Sequence, residues 1–266
     1  MWGIGEVGSR IHGMDESGVR LSYPPPLNII MQYGHYSDDE IPAQHNTGYA
    51  VNSFGYRCAE WRPMPNGKKN VIVLGCSHTF GEGLDDGEVW VDQLYTLVNQ
   101  RLLRFWNLGS PGASSDKIVR ILYATEKVLS PQIIIMCWPE RSRRERLDTV
   151  PKNLTSNNEL LKTETDETDQ YTFLKNVFFA EKFAEKQRAK IFHCFAHDVH
   201  ELKGTNILQD CSLKSCWPMW SPIRKEHHKR ILIRDPSVAK DGVHFGVEHH
   251  RVFANKFYNR FKSKLC

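Results

Sequence analysis

Val71-Ile-Val-Leu-Gly-Cys-Ser-His-Thr-Phe-Gly81 starts as an unbroken apolar, β-branched run and ends in glycine-rich turn chemistry. Such a run marks a buried strand, here entered from the turn cluster Pro63-Met-Pro-Asn-Gly67 and spanning Asn70 to Leu74. Ser77 then stands at the strand's carboxyl end. Glycines at 75, 81 and 83 let the backbone bend sharply there and approach a substrate closely. A serine hydroxyl is a weak nucleophile unless a base takes its proton, so Ser77 calls for a partner elsewhere in the chain.

Downstream, apolar patterns of strand and helix type alternate. Asp86 to Leu103 carries Val89, Val91, Leu94, Leu97 and Val98 at near-helical spacing, and Arg104 to Leu108 is a short strand. Ser114 or Ser115 can cap a helix through Ile118, Leu122 and Val128, and Pro131 to Cys137 is a third strand. Residues 141–170 are polar and read as an insertion. Tyr171 to Arg188 is amphipathic, Lys190 to Ala196 is a fourth strand, and Glu248 to about Phe261 is a final helix. Strands that alternate with helices imply a parallel sheet, because parallel strands need crossovers and the crossovers are helices. The expected class is α/β: a three-layer α/β/α sandwich with sites at the carboxyl ends of the strands.

A length of 266 residues, 40% of them hydrophobic, suffices for one substantial core. We divide the chain into an irregular lead-in, residues 1–65, packed on a main domain, residues 66–266. The formal charge of +4 is mild and spread along the chain, which gives no call for nucleic acid as a partner. No stretch reads as a secretion signal or a membrane span, so a cytoplasmic protein is expected. Seven cysteines at irregular spacing, several inside strand-like runs, suit a reducing compartment.

The partner for Ser77 is found in Asp241-Gly-Val-His244, which puts a carboxylate and an imidazole three positions apart on one turn. The carboxylate can hold the ring's tautomer while its far nitrogen accepts the serine proton. His193, His197 and His200 are metal-ligand types, but Ile191 to Ala196 reads as a buried strand rather than a helix with one ligand face, and no metal or cofactor is expected. His249 and His250 fall at the start of the last helix. Glu140, Arg141, Arg143, Arg144, Glu145 and Arg146 form a charged run that is a solvated face or a rim steering substrate. Trp138, Trp217 and Trp220 are packing residues or a platform for a sugar ring.

These anchors resemble the SGNH/GDSL hydrolase family. Its first block, Gly-Asp-Ser-x-Thr-x-Gly, is matched by Gly75-Cys-Ser-His-Thr-Phe-Gly81, its second by Asn107-Leu-Gly109, and its fifth, Asp-x-x-His, by Asp241 to His244. Asn52-Ser-Phe-Gly-Tyr-Arg57 looks like the lead-in of some bacterial and phage members. The resemblance implies a flavodoxin-like SGNH fold with Ser77 as nucleophile, His244 as base, Asp241 as its orienting acid, and the N–H groups of Ser77 and Gly109 as oxyanion donors. It further implies a serine esterase acting through an acyl-enzyme on a small ester, such as an O-acetyl or other acyl group on a carbohydrate. Two departures stand out. Cys76 replaces the aspartate of block one, and Cys137-Trp-Pro-Glu-Arg-Ser142 lacks the block-three asparagine that donates to the oxyanion. Arg141, Ser142 or Trp138 is the expected stand-in, while His78, Trp138, Glu140 and Arg141 are candidates for substrate contact. Two further readings stay open: a non-catalytic structural or binding protein of a virus or phage, which would place it in a virion, and an O-acyltransferase. Oligomeric state is not legible.

Overall fold

The computed structural model describes residues 48–60, 67–126, 128–146, 152–154, 165–196, 217–218, 238–242 and 244–265. In chain order the elements are β1 (Lys69–Gly75), α1 (Ser77–Phe80), α2 (Trp90–Leu97), β2 (Leu103–Gly109), α3 (Ser115–Ala124), β3 (Ile133–Trp138), β4 (Arg144–Arg146), β5 (Lys152–Leu154), α4 (Asp166–Gln187), β6 (Lys190–Phe195), β7 (Trp217–Pro218) and α5 (Val247–Leu265). β1 is buried from Asn70 to Gly75 and β3 along its whole length, which is why both lack polar alternation. At about 1.5–3 kcal/mol for each large aliphatic side chain removed from water, these two strands anchor the core.

The sheet has the order β2-β1-β3-β6-β7, with each neighbouring pair parallel. Two phenylalanines of β6, three positions apart and so on opposite faces, show how the helices cover it. Phe192 packs on Phe257 and Phe261 of α5, with ring centroids 6.2 and 4.8 Å apart, whereas Phe195 meets Phe173 of α4 at 5.7 Å on the opposite face. α2 joins α5 through Trp90, which lies 4.9 Å from Phe253, and α3 joins α4 through Tyr123 and Phe183 at 5.0 Å. The result is a parallel sheet with helices on both faces. Chain direction across the sheet reverses at β1, because β2 lies on one side and β3 on the other. Gly75, Gly109 and Cys137 are in register, so these three strands end level at the reversal, where sheets of this kind form a crevice.

The boundaries differ from those expected in instructive places. The second helical segment is confined to Trp90–Leu97, since Asp85 and Asp86 instead accept from the amides of Gly48 and Ala50 at 2.8 and 3.1 Å and Gly87 turns with φ 84°. α3 stops at Ala124 rather than near Val128, and Ser130 follows in a left-handed conformation, φ 41°. Part of the polar 141–170 segment pairs as an antiparallel β4–β5 ladder, pinned to α3 by Arg120 and Glu145 at 2.5 Å. α4 begins at Asp166 because Thr165 caps it, accepting from the Thr168 amide at 3.2 Å. Residues 48–60 contain neither helix nor strand, and Asn52 organises them by accepting from the amides of Phe54 and Tyr56, both at 3.0 Å. No helix among the described residues is long and apolar enough to cross a membrane.

Candidate active site

Ser77 opens α1 immediately beyond β1. The turn is tight because Gly75 has no side chain: a Cβ there would lie 2.1 Å from Thr79 Oγ1 and 2.9 Å from the Cys137 carbonyl oxygen. α1 is a single turn, closed when Gly81 adopts φ 83° and ψ 49° and the amides of Gly81 and Glu82 donate to the Ser77 carbonyl at 2.7 and 3.1 Å. Gly109 supports it from β2, since a Cβ at that position would fall 2.3 Å from the Phe80 nitrogen. Arg57 supports it from the lead-in. Its Nη1 donates to the Gly81 carbonyl at 2.7 Å, its Nη2 reaches Asp86 at 3.2 Å, and its guanidinium lies 4.4 Å over the Tyr49 ring. Beside the serine, Cys76 is fully buried and burial pushes its thiol up to about 11, so it stays protonated at neutral pH and contributes bulk rather than charge.

The loop carrying Asp241 and His244 is docked on the turn that follows α1. Lys240 donates its amide to the Gly83 carbonyl at 3.0 Å and pairs with Asp85, while the missing side chain of Gly83 makes room for the Asp241 carboxylate, whose Cγ would lie 2.8 Å from a Cβ. His78, Phe245 and His249 stack in a row, with centroid spacings of 4.4 and 4.9 Å, and His78 also lies 5.3 Å from the His244 ring. Within the loop, Asp241 grips His244 twice: Oδ2 is 2.6 Å from Nδ1 and Oδ1 accepts the His244 amide at 3.0 Å. Because a carboxylate only accepts, the ring proton belongs on Nδ1 and Nε2 is the unprotonated nitrogen of the neutral ring. Nε2 lies 3.5 Å from Glu82 Oε2. Burial pulls the His244 pKa down most strongly, yet the bond to Asp241 and the charges of Glu82 and Asp241 outweigh it together, and the ring titrates above its ordinary value.

The end of β3 supplies a third wall. Trp138, expected as a substrate contact or oxyanion donor, is neither: its side chain is wholly buried, its indole N–H donates to His193 Nδ1 at 2.9 Å, and it packs against Phe173. Its register opposite Phe195 turns it onto α4 instead of the crevice. Glu140 and Arg143 pair at 3.4 Å across a turn closed by the Arg143 amide on the Glu140 carbonyl at 3.2 Å, with Arg141 and Ser142 half-buried within it. Arg143, which the sequence marks only as one charge in a solvated face or substrate-steering rim, acts by its positive charge to lower the pKa of both Cys76 and His244. Glu82 carries no mark in the sequence, since nothing in the spacing of an acidic residue after Gly81 announces its contact with a loop from the far end of the chain. Gly109, expected as an oxyanion donor, gives its amide to the Asn107 side-chain oxygen at 3.0 Å, and the Asn107 amide donates to the Thr79 carbonyl at 2.8 Å. His250 is buried and accepts from the Trp90 amide at 3.0 Å. His197, His200 and Trp220 lie outside the described residues, as does the side chain of Trp217. No cluster of three or more His, Cys, Asp or Glu side chains suited to a metal occurs among the described residues.

No family model and no curated protein sequence matches the chain. Solved esterase structures resemble it. One is a member of the lipolytic G-D-S-L family from Veillonella parvula, at 14% identity and TM-score 0.49, covering 73% of this chain and 98% of that one. Another is the psychrotrophic esterase EstA from Pseudoalteromonas sp., inhibited by monoethylphosphonate, at 14% identity and TM-score 0.48, covering 74% and 99%. A third is a family 3 carbohydrate esterase from Clostridium thermocellum, at 14% identity and TM-score 0.43, covering 74% and 97%. Identity at this level carries no residue role across.

Proposed function

We propose that the protein is a serine hydrolase that cleaves a small ester through an acyl-enzyme on Ser77. The observation that carries this is the Asp241–His244 pair, held at 2.6 Å and docked at Gly83, on the turn that follows the helix opened by Ser77. In the proposed reaction, His244 Nε2 takes the proton of Ser77 Oγ as the oxygen attacks the ester carbonyl. The tetrahedral intermediate collapses when the protonated ring gives that proton to the leaving alcohol. A water activated by the same nitrogen then releases the acid and regenerates Ser77. Asp241 keeps Nε2 unprotonated between these steps. The amides of Ser77 and Gly109 are the oxyanion donors in this reading, and Gly109 serves once the carbonyl forms a better acceptor than the Asn107 side chain. Arg141 or Ser142 stands in for the third donor in this reading, where loss of one donor typically costs about 10²–10³ in turnover. The motif resemblance favours an O-acetyl or other acyl group on a carbohydrate as the ester, with His78, Glu140 and Arg141 at its rim.

The test is hydrolysis of p-nitrophenyl acetate by wild type and Ser77→Ala. Loss of p-nitrophenol release in a variant that melts at the wild-type temperature is expected, and activity retained in it would overturn the assignment. The Gly109 amide bound to Asn107 favours one second reading, a non-catalytic binding protein with the same fold. That reading requires Ser77 to be inert toward a fluorophosphonate probe in the folded protein, so labelling at Ser77 excludes it. Product analysis with and without a sugar acceptor separates hydrolysis from acyl transfer.

A further inference from the structure

We infer that Glu82 is a second carboxylate partner of His244, set against the ring's outer nitrogen to hold the imidazolium that forms when Ser77 gives up its proton. The inference deepens the proposed reaction and rests on it. Asp241 engages Nδ1, so Nε2 is the atom that takes the serine proton, and Glu82 Oε2 lies 3.5 Å from it. With its proton on Nδ1 the neutral ring places an uncharged Nε2 beside that carboxylate. Protonation of Nε2 converts the same contact into an ion pair. The arrangement therefore matches the ring as it is after proton transfer, which is how a site accelerates the step that makes the charge.

Backbone geometry places Glu82 for this task. Its amide donates to the Ser77 carbonyl at 3.1 Å, and the next residue, Gly83, with φ 77°, lies against the Asp241 carboxylate. Nucleophile and both carboxylates are thus fixed by one turn, residues 77–83. The His244–Glu82 contact is well shielded from solvent, with side-chain exposures of 13% and 26%. Among the described residues, the other titratable groups facing His244 are Asp241 on its own loop, His78 from α1, Arg143 from the turn after β3, and His250 from α5. Arg143 opposes the proton. Burial pushes His250 down to about 3, so that ring is neutral at the pH of the reaction. Glu82 and Asp241 are the groups whose charges favour protonation of His244, which leaves Glu82 as the adjustable one.

The experiment compares wild type, Glu82→Gln and Glu82→Asp in the full chain by two readouts: NMR titration of the His244 ring and the pH profile of kcat/KM on p-nitrophenyl acetate. In Glu82→Gln the His244 midpoint is expected to move to lower pH and the acid limb of the profile to move with it. Above both midpoints kcat falls while KM holds. Glu82→Asp, whose carboxylate is retained one methylene short, is expected to fall between the two. Unchanged His244 midpoints in folded Glu82→Gln overturn the inference, because a merely structural Glu82 would alter melting and not the titration. If wild type proves inactive, the proposed reaction fails. The NMR titration then still decides whether Glu82 pairs with His244, independently of turnover.

Discussion

Asp241 makes two bonds to His244, one to the ring and one to the amide, and these fix both tautomer and ring orientation. Replacing Asp241 by Asn keeps the shape but offers Nδ1 an ambiguous partner that also stabilises the wrong tautomer. We expect kcat to drop on the order of 10⁴-fold with little change in melting temperature, checked by steady-state kinetics beside thermal unfolding. Gly109 is constrained by space rather than by conformation. Its missing Cβ would collide with backbone atoms of Thr79 and Phe80, which have no rotamer to yield. Gly109→Ala should lower stability by about 1–3 kcal/mol in urea unfolding and displace α1, so that turnover falls more than stability alone would explain. Gly75 is crowded by the Thr79 side chain and the Cys137 carbonyl; the sequence marks it as a turn glycine opening the first motif block, but not the neighbours that require it.

At the scale of elements, α1 depends on neighbours on every side, because a single helical turn has too few internal bonds to be stable alone. Arg57 satisfies its C-terminal end. The side chain is 1% exposed and donates to the Gly81 carbonyl, whereas its partner Asp86 is 57% exposed, so the carbonyl bond and packing on Tyr49 matter more than the ion pair. Arg57→Ala should cost about 2 kcal/mol in urea unfolding, and Arg57→Lys should recover little of it, since an ammonium cannot span Gly81 and Asp86 together. The core strands were legible because β1 and β3 are buried on both faces and so carry Val71–Leu74 and Ile133–Met136 without interruption. Helix ends were less legible. The start of α2 is set by Asp85 and Asp86 reaching residues 48 and 50, a contact between distant segments that leaves no periodic trace. The start of α4 did carry a local signal, the Thr165 cap, though it lies inside a polar stretch that resembles an insertion.

At the scale of the whole molecule, His244 and His250 respond to acid in opposite senses. His244 titrates above the ordinary 6.5 in the folded chain, so stability linked to it is complete below 6.5 and is lost as pH rises through its folded midpoint. His250 is held down to about 3 by burial, so the unfolded chain takes up a proton below 6.5 that the folded chain refuses. Stability should therefore fall by up to about 1.4 kcal/mol for each pH unit as acid is added from 6.5 toward 3, and His250→Asn should flatten that limb of a denaturation series. The motif spacing marked Ser77 and the Asp241/His244 pair as belonging together, but Glu82, Arg143 and the inward turn of Trp138 depend on strand order and register, which no single segment encodes. That same order has a temporal consequence. Ser77 is laid down with the first strand of the sheet, and His244, the base in the proposed reaction, follows only after the other four strands, β2, β3, β6 and β7, have appeared in the chain. In the proposed reaction, a chain emerging from its N-terminus thus carries the serine side of the crevice before the segment that would deprotonate it, and reactivity would come late in assembly.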